Sequence, residues 1–122
     1  MKRLYVVVRS DLPPGLQLAQ ACHAAREFAA DYPGDLAGEN LVALSCPNEL
    51  SLWRLTDDAR LACVPVTPFR EPDLGGELTA AAFGNNARKL LSSLPLALRA
   101  PRAPRASQDP PQVAASGAVG GA

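Results

Sequence analysis

His23 is the only histidine in this 122-residue chain. Imidazole titrates near neutral pH, so it can take up a proton, release one or order a water. Gln20 and Glu27 lie one helical turn to either side of it, on one face of any helix that carries all three. A second chemically equipped stretch is Arg70-Glu71-Pro72-Asp73, where two carboxylates could act as bases or orient water. One histidine with scattered acids makes no metal-ligand set. The three cysteines, Cys22, Cys46 and Cys63, are too widely spaced for a zinc site or a disulfide framework. Taken alone, His23 fits a polar surface side chain or a loop cap as well as it fits a base.

These residues need elements to hold them. Residues 4–8 are a continuous apolar, β-branched run, suited to a central strand covered on both faces. The run is too short to span a membrane, and no small-residue cleavage site follows it. Pro13, Pro14 and Gly15 turn the chain into a helix extending to about residue 30. Its periodicity predicts an inner face of Leu18, Ala21, Cys22, Ala25, Phe28 and Ala29, with Gln20, His23 and Glu27 opposite. Residues 41–46 read as a second strand, and Asn48 caps a helix over 49–60. Trp53 on that helix reads as a plug between helix and sheet. Residues 61–69 form a third strand that carries Pro65 and Pro68, hence an edge strand or a bulged one. The polar loop 70–76 then leads to a fourth strand over 77–83, antiparallel to the third, and a last short helix over 87–93. The order is β-α-β-α-β-β-α: an α/β, three-layer sandwich on a small four-stranded mixed sheet.

Hydrophobic residues make up 48% of the chain but aromatics only 5%, so alanine and leucine must carry the packing. All three cysteines are expected as small buried hydrophobes in a reduced, cytoplasmic setting. One domain over residues 1–98 is followed, at 99–122, by a Pro/Ala/Arg-rich tail that cannot bury enough surface to order itself. Three tail arginines offer phosphate contacts. The domain carries nine basic against eleven acidic residues, a slightly acidic balance. The oligomeric state is not legible, and a homodimer stands open.

The opening Val8-Arg9-Ser10-Asp11-Leu12, followed by Gln20-Ala21-Cys22-His23-Ala24-Ala25, resembles the start of the type 2 peptidyl-tRNA hydrolases. The stretch from Glu71 to Ala80 is similar to that family's acidic, glycine-containing loop and the strand after it. The resemblance implies an esterase without metal or cofactor. Its substrate would be the ester joining a peptide, or an N-blocked amino acid, to the 3′ end of tRNA. It places His23, Glu71 or Asp73, and Thr79 as catalytic residues. Arg9, Asp11, Gln20, Arg26 and Arg70 become substrate-binding residues. Under it, His23 or a loop carboxylate orients water and the Thr79 hydroxyl donates to the oxyanion or holds that water. One departure stands out. The family carries lysine in the turn after Asp-Leu, whereas this chain has a shorter turn with Leu16 at that place. Arg9 or Arg26 would have to supply the missing charge, or catalysis is slow or lost. The other reading is a non-catalytic RNA- or protein-binding module on the same fold.

Overall fold

The computed structural model describes residues 3–35 and 40–99. The loop expected at 36–39 and the tail from residue 100 lie outside the described residues.

The apolar run becomes β1 (Arg3–Arg9), buried from Leu4 onward. It lies inside a sheet of order β2-β1-β4-β3, with β2 at Asn40–Cys46, β3 at Val66–Glu71 and β4 at Glu77–Phe83. β1 runs parallel to β2 and antiparallel to β4, and β4 pairs antiparallel with β3. The mixed sheet and its edge placement of the proline-bearing third strand are as expected. Beyond the four strands, Leu96 makes an isolated antiparallel bridge to Leu44: the Ser45 N–H donates to the Pro95 carbonyl and the Ala97 N–H to the Ala43 carbonyl, along the outer side of β2.

Two helices cover the faces. α1 (Pro14–Asp31) packs across β4, β3 and β1, where Ala24 and Phe28 meet Leu4, Val6, Val8, Ala80 and Ala82. α2 (Glu49–Leu61) covers the other face, with Leu52 and Ala59 against Tyr5, Val7, Ala81 and Phe83. Trp53 packs half-buried against that second core, in the plugging role its sequence suggested. Asn48 caps α2 by accepting the Ser51 N–H at 2.9 Å.

The structure corrects four expectations. The face of α1 turned inward carries Gln17, Gln20, Ala24 and Phe28, while Leu18 and Cys22 are exposed. An alanine-rich helix has a weak apolar bias, and hydrogen bonds offset the cost of burying the glutamines: Gln20 is paired at both ends of its amide, Gln17 through Nε2 alone, its Oε1 having no partner among the described residues. The third strand begins at Val66 rather than residue 61, because α2 runs on to Leu61 and closes with a tight reversal. In that reversal the Val64 N–H bonds the Ala59 carbonyl and the Cys63 N–H bonds the Arg60 carbonyl, with Cys63 left-handed at φ 58. The reversal turns Cys63 outward, so only Cys46 of the three cysteines is buried, and burial pushes its thiol up to about 11. The last helix shrinks to a 3₁₀ turn at Asn85–Ala87 followed by further turns. Ser92 there spends its hydroxyl on the Lys89 carbonyl, and so short a segment gains little from helical hydrogen bonding.

Candidate active site at the α1 and β3–β4 corner

Alternation along β3 brings Thr67, Phe69 and Glu71 to the face that α1 covers, and each meets a different turn of that helix. The Thr67 hydroxyl donates to Asp31 at 2.8 Å. Phe69 stacks under the imidazole of His23, with ring centroids 4.7 Å apart and planes 11° from parallel. Glu71 accepts a 2.9 Å hydrogen bond from the Gln20 amide. His23 is therefore half-buried against the sheet edge, and the expectation that it projects away from the packed side of the helix is corrected. Gln20, one turn before it, had been assigned to the same outward side; it is 1% exposed.

β4 contributes through an irregularity. The register with β3 steps from Phe69↔Ala80 to Arg70↔Leu78, leaving Thr79 as an extra residue in β4. Such a bulge re-aims a side chain that strict alternation would send to the other face. Thr79 consequently donates its hydroxyl to Gln20 Oε1 at 2.7 Å, with the Phe69 carbonyl at 3.5 Å as a weaker acceptor. The result is a directed chain. Thr79 O–H donates to Gln20 Oε1, Gln20 Nε2–H donates to Glu71 Oε1, and the Asp73 N–H donates to Glu71 Oε2 at 3.1 Å. The Gln20 amide, the Asp73 N–H and the nearby His23 hold the Glu71 carboxyl below the usual carboxylate range.

This arrangement separates the two carboxylates that the sequence left undecided. Glu71 faces Gln20 with both of its oxygens engaged. Asp73 lends its backbone to Glu71, and its own side chain is exposed. Thr79 is fully buried, so its hydroxyl does not face solvent; it orients Gln20.

The cations are arranged differently from one another. Arg9, 7% exposed, closes the end of the sheet. Its guanidinium pairs with both oxygens of Asp11 at 3.0 Å, with Glu77 at 2.7 Å and with the Leu78 carbonyl at 3.1 Å. The Asp11 carboxylate, followed by Glu77, raises the Arg9 pKa, and Arg9 in turn lowers that of Asp11. Arg9 and Asp11 are thus a clamp between β1 and β4 rather than ligands held ready for phosphate. Arg70 donates to the Gly76 carbonyl at 2.7 Å and ties the β3–β4 loop together. That loop turns through Gly75 and Gly76 at φ 68 and 81, which suit glycine. Arg26 is exposed one turn beyond His23. Leu16, in the first turn of α1, is half-buried. Among the described residues no cluster of three or more His, Cys, Asp or Glu is placed to hold a metal ion.

Phe69, Glu77 and Gln17 join this corner without having been singled out by sequence reasoning. Phe69 was detectable, since it lies two residues before Glu71 on an alternating strand. Glu77 depends on the sheet register, and Gln17 on the rotation of α1. Gln17 donates to the Leu12 carbonyl at 2.6 Å and anchors the turn between β1 and α1.

No protein-family model matches the chain, and no curated protein matches it in sequence. Among solved structures it is similar to a protein of unknown function, Atu0240 from Agrobacterium tumefaciens strain C58. That likeness has a TM-score of 0.64 at 10% identity and covers 78% of this chain and 96% of that one. At such identity the likeness bears on the fold alone. Among the described residues no helix is long and apolar enough to cross a membrane.

Proposed function

We propose that this chain hydrolyses the ester bond between a peptidyl or N-blocked aminoacyl group and the 3′ end of tRNA, in a cytoplasmic setting. The observation that carries the reading is the chain Thr79–Gln20–Glu71 beside the stacked imidazole of His23. All four residues sit in the stretches that resemble type 2 peptidyl-tRNA hydrolases, and Glu71 is one of the two acids that the resemblance left open.

In this reading His23 takes a proton from a water, and the water oxygen forms a bond to the ester carbonyl carbon. Glu71, ionised at neutral pH, stabilises the imidazolium that results. The bond from the acyl carbon to the 3′ oxygen then breaks, and His23 returns the proton to that oxygen. The products are a free carboxylate and an intact 3′ hydroxyl. Arg26, exposed one turn from His23, is the cation available to the terminal phosphates.

One observation favours a second reading, a binding module without catalysis. Leu16 stands where the related enzymes carry lysine, and the Arg9 guanidinium is already committed to Asp11, Glu77 and the Leu78 carbonyl. Loss of one electrostatic contact to the transition state costs about 10²–10³ in rate. A single-turnover assay on N-acetylaminoacyl-tRNA separates the two. Release above the uncatalysed rate, lost in His23→Ala, supports the hydrolase. Release at the uncatalysed rate with tRNA still bound supports the module.

A further inference from the structure

A glutamine side-chain amide is nearly symmetric in shape, and exchanging its oxygen and nitrogen has little steric consequence. Which end faces Glu71 is therefore settled at both ends: the carboxylate can only accept, and the group at the other end must donate to the oxygen. That group is Thr79, fully buried and brought to this face of the sheet by the β4 bulge. With the Thr79 hydroxyl donating to Oε1 at 2.7 Å, Nε2 is left pointing at Glu71. In the reversed arrangement Oε1 would face the Glu71 carboxylate and repel it, and Thr79 would fall back on the more distant Phe69 carbonyl.

We propose that Thr79 and Gln20 are positioning residues: the buried hydroxyl sets the amide so that its N–H holds Glu71 in place as the anionic partner of His23. The part played by His23 and Glu71 in turnover rests on the hydrolase reading above; the hydrogen-bond relay itself does not. The other charged groups around Glu71 leave this task to Gln20. Arg70, its neighbour on β3, is turned to the Gly76 carbonyl. Glu77, its partner across the hairpin, is held by Arg9. Asp73 contributes a backbone N–H. His23 stacks on Phe69, two residues away on the same strand.

The test is carboxyl-detected NMR titration of Glu71 in the full chain, compared among wild type, Thr79→Val, Thr79→Ser and Gln20→Leu. Exchange protection of the Gln20 side-chain amide is followed in the variants that retain Gln20. Circular dichroism checks that each variant folds. The relay predicts a protected Gln20 amide and a Glu71 midpoint below the ordinary glutamate range in wild type. Thr79→Val and Gln20→Leu move that midpoint upward, and Thr79→Ser keeps it near the wild-type value. In turnover, Thr79→Val lowers kcat roughly 10- to 100-fold with KM little changed, the worth of one hydrogen bond to a charged group, and Thr79→Ser restores it. An unchanged Glu71 midpoint in either Thr79→Val or Gln20→Leu, or a Gln20 amide that exchanges as freely as an exposed one, overturns the relay. If the wild type hydrolyses while the titrations stay flat, only the relay fails. If the titrations respond while the wild type releases nothing, only the hydrolase reading fails.

Discussion

Replacing Thr79 by valine removes one hydroxyl and little else. The two side chains are close in volume, so no cavity opens. Thr79 is fully buried and Gln20 is 1% exposed, so water cannot substitute for the lost donor. The cost is that of an orphaned buried acceptor, about 1–3 kcal/mol, and the added methyl recovers only part of it; a net loss of about 2 kcal/mol follows. Gln20→Leu removes the other partner, at about 1 kcal/mol. There the Thr79 hydroxyl still has the Phe69 carbonyl at 3.5 Å, and half-exposed Glu71 can turn to water. The double variant leaves no orphan, so its loss is well below the sum of the two single losses. The coupling is about 1–2 kcal/mol, larger than the few tenths expected for independent sites. Urea unfolding followed by the fluorescence of Trp53, the only tryptophan, measures all four corners of the cycle. A Thr79→Val variant within about 0.5 kcal/mol of wild type, with additive losses, refutes the reasoning.

Further outcomes follow from the same contacts. Arg9→Leu orphans the buried Leu78 carbonyl and unties β1 from β4, while Asp11 and Glu77, each nearly half exposed, find water. The expected loss is about 2 kcal/mol, or roughly 10 °C in Tm for a folded part of about a hundred residues, read by calorimetry. Cys63→Gly relieves a left-handed cysteine at φ 58 and raises stability by about 0.5–1 kcal/mol in urea melts; a loss would count against that strain. Acid unfolding carries a sign. Glu71 and Asp11 have folded-state pKa values below their ordinary ones, so each contributes stability above the unfolded value that is lost as pH falls through the folded one. Thermal melts from neutral pH into acid show this decline, and Glu71→Gln makes it shallower.

The fold was legible because its signals were local. An unbroken β-branched run marked β1, Asn48 marked the start of α2, and the prolines near β3 marked an edge. The placement of Glu77–Phe83 as an antiparallel strand was likewise readable from the turn residues before it. The site was harder. Gln20 read as solvent-facing because its hydrogen-bond partners lie on distant segments, and burial of a polar group is decided by those partners. The β4 bulge turns Thr79 toward α1, and no residue in β4 announces it, since Thr79 is followed by three alanines. Cys63 was assigned to the interior because it lies in an apolar stretch; the helix reversal that turns it outward more commonly uses glycine. Arg9 looked available because its second and third partners, Glu77 and the Leu78 carbonyl, come from the far end of the chain.

The most direct test of the account compares Glu71→Gln with Asp73→Asn in single-turnover hydrolysis of N-acetylaminoacyl-tRNA. The hydrogen bonds place Glu71 with Gln20 beside His23, and they use only the backbone of Asp73. The account predicts release lowered about 10²-fold or more in Glu71→Gln and near wild type in Asp73→Asn. Equal release in wild type and Glu71→Gln would contradict it.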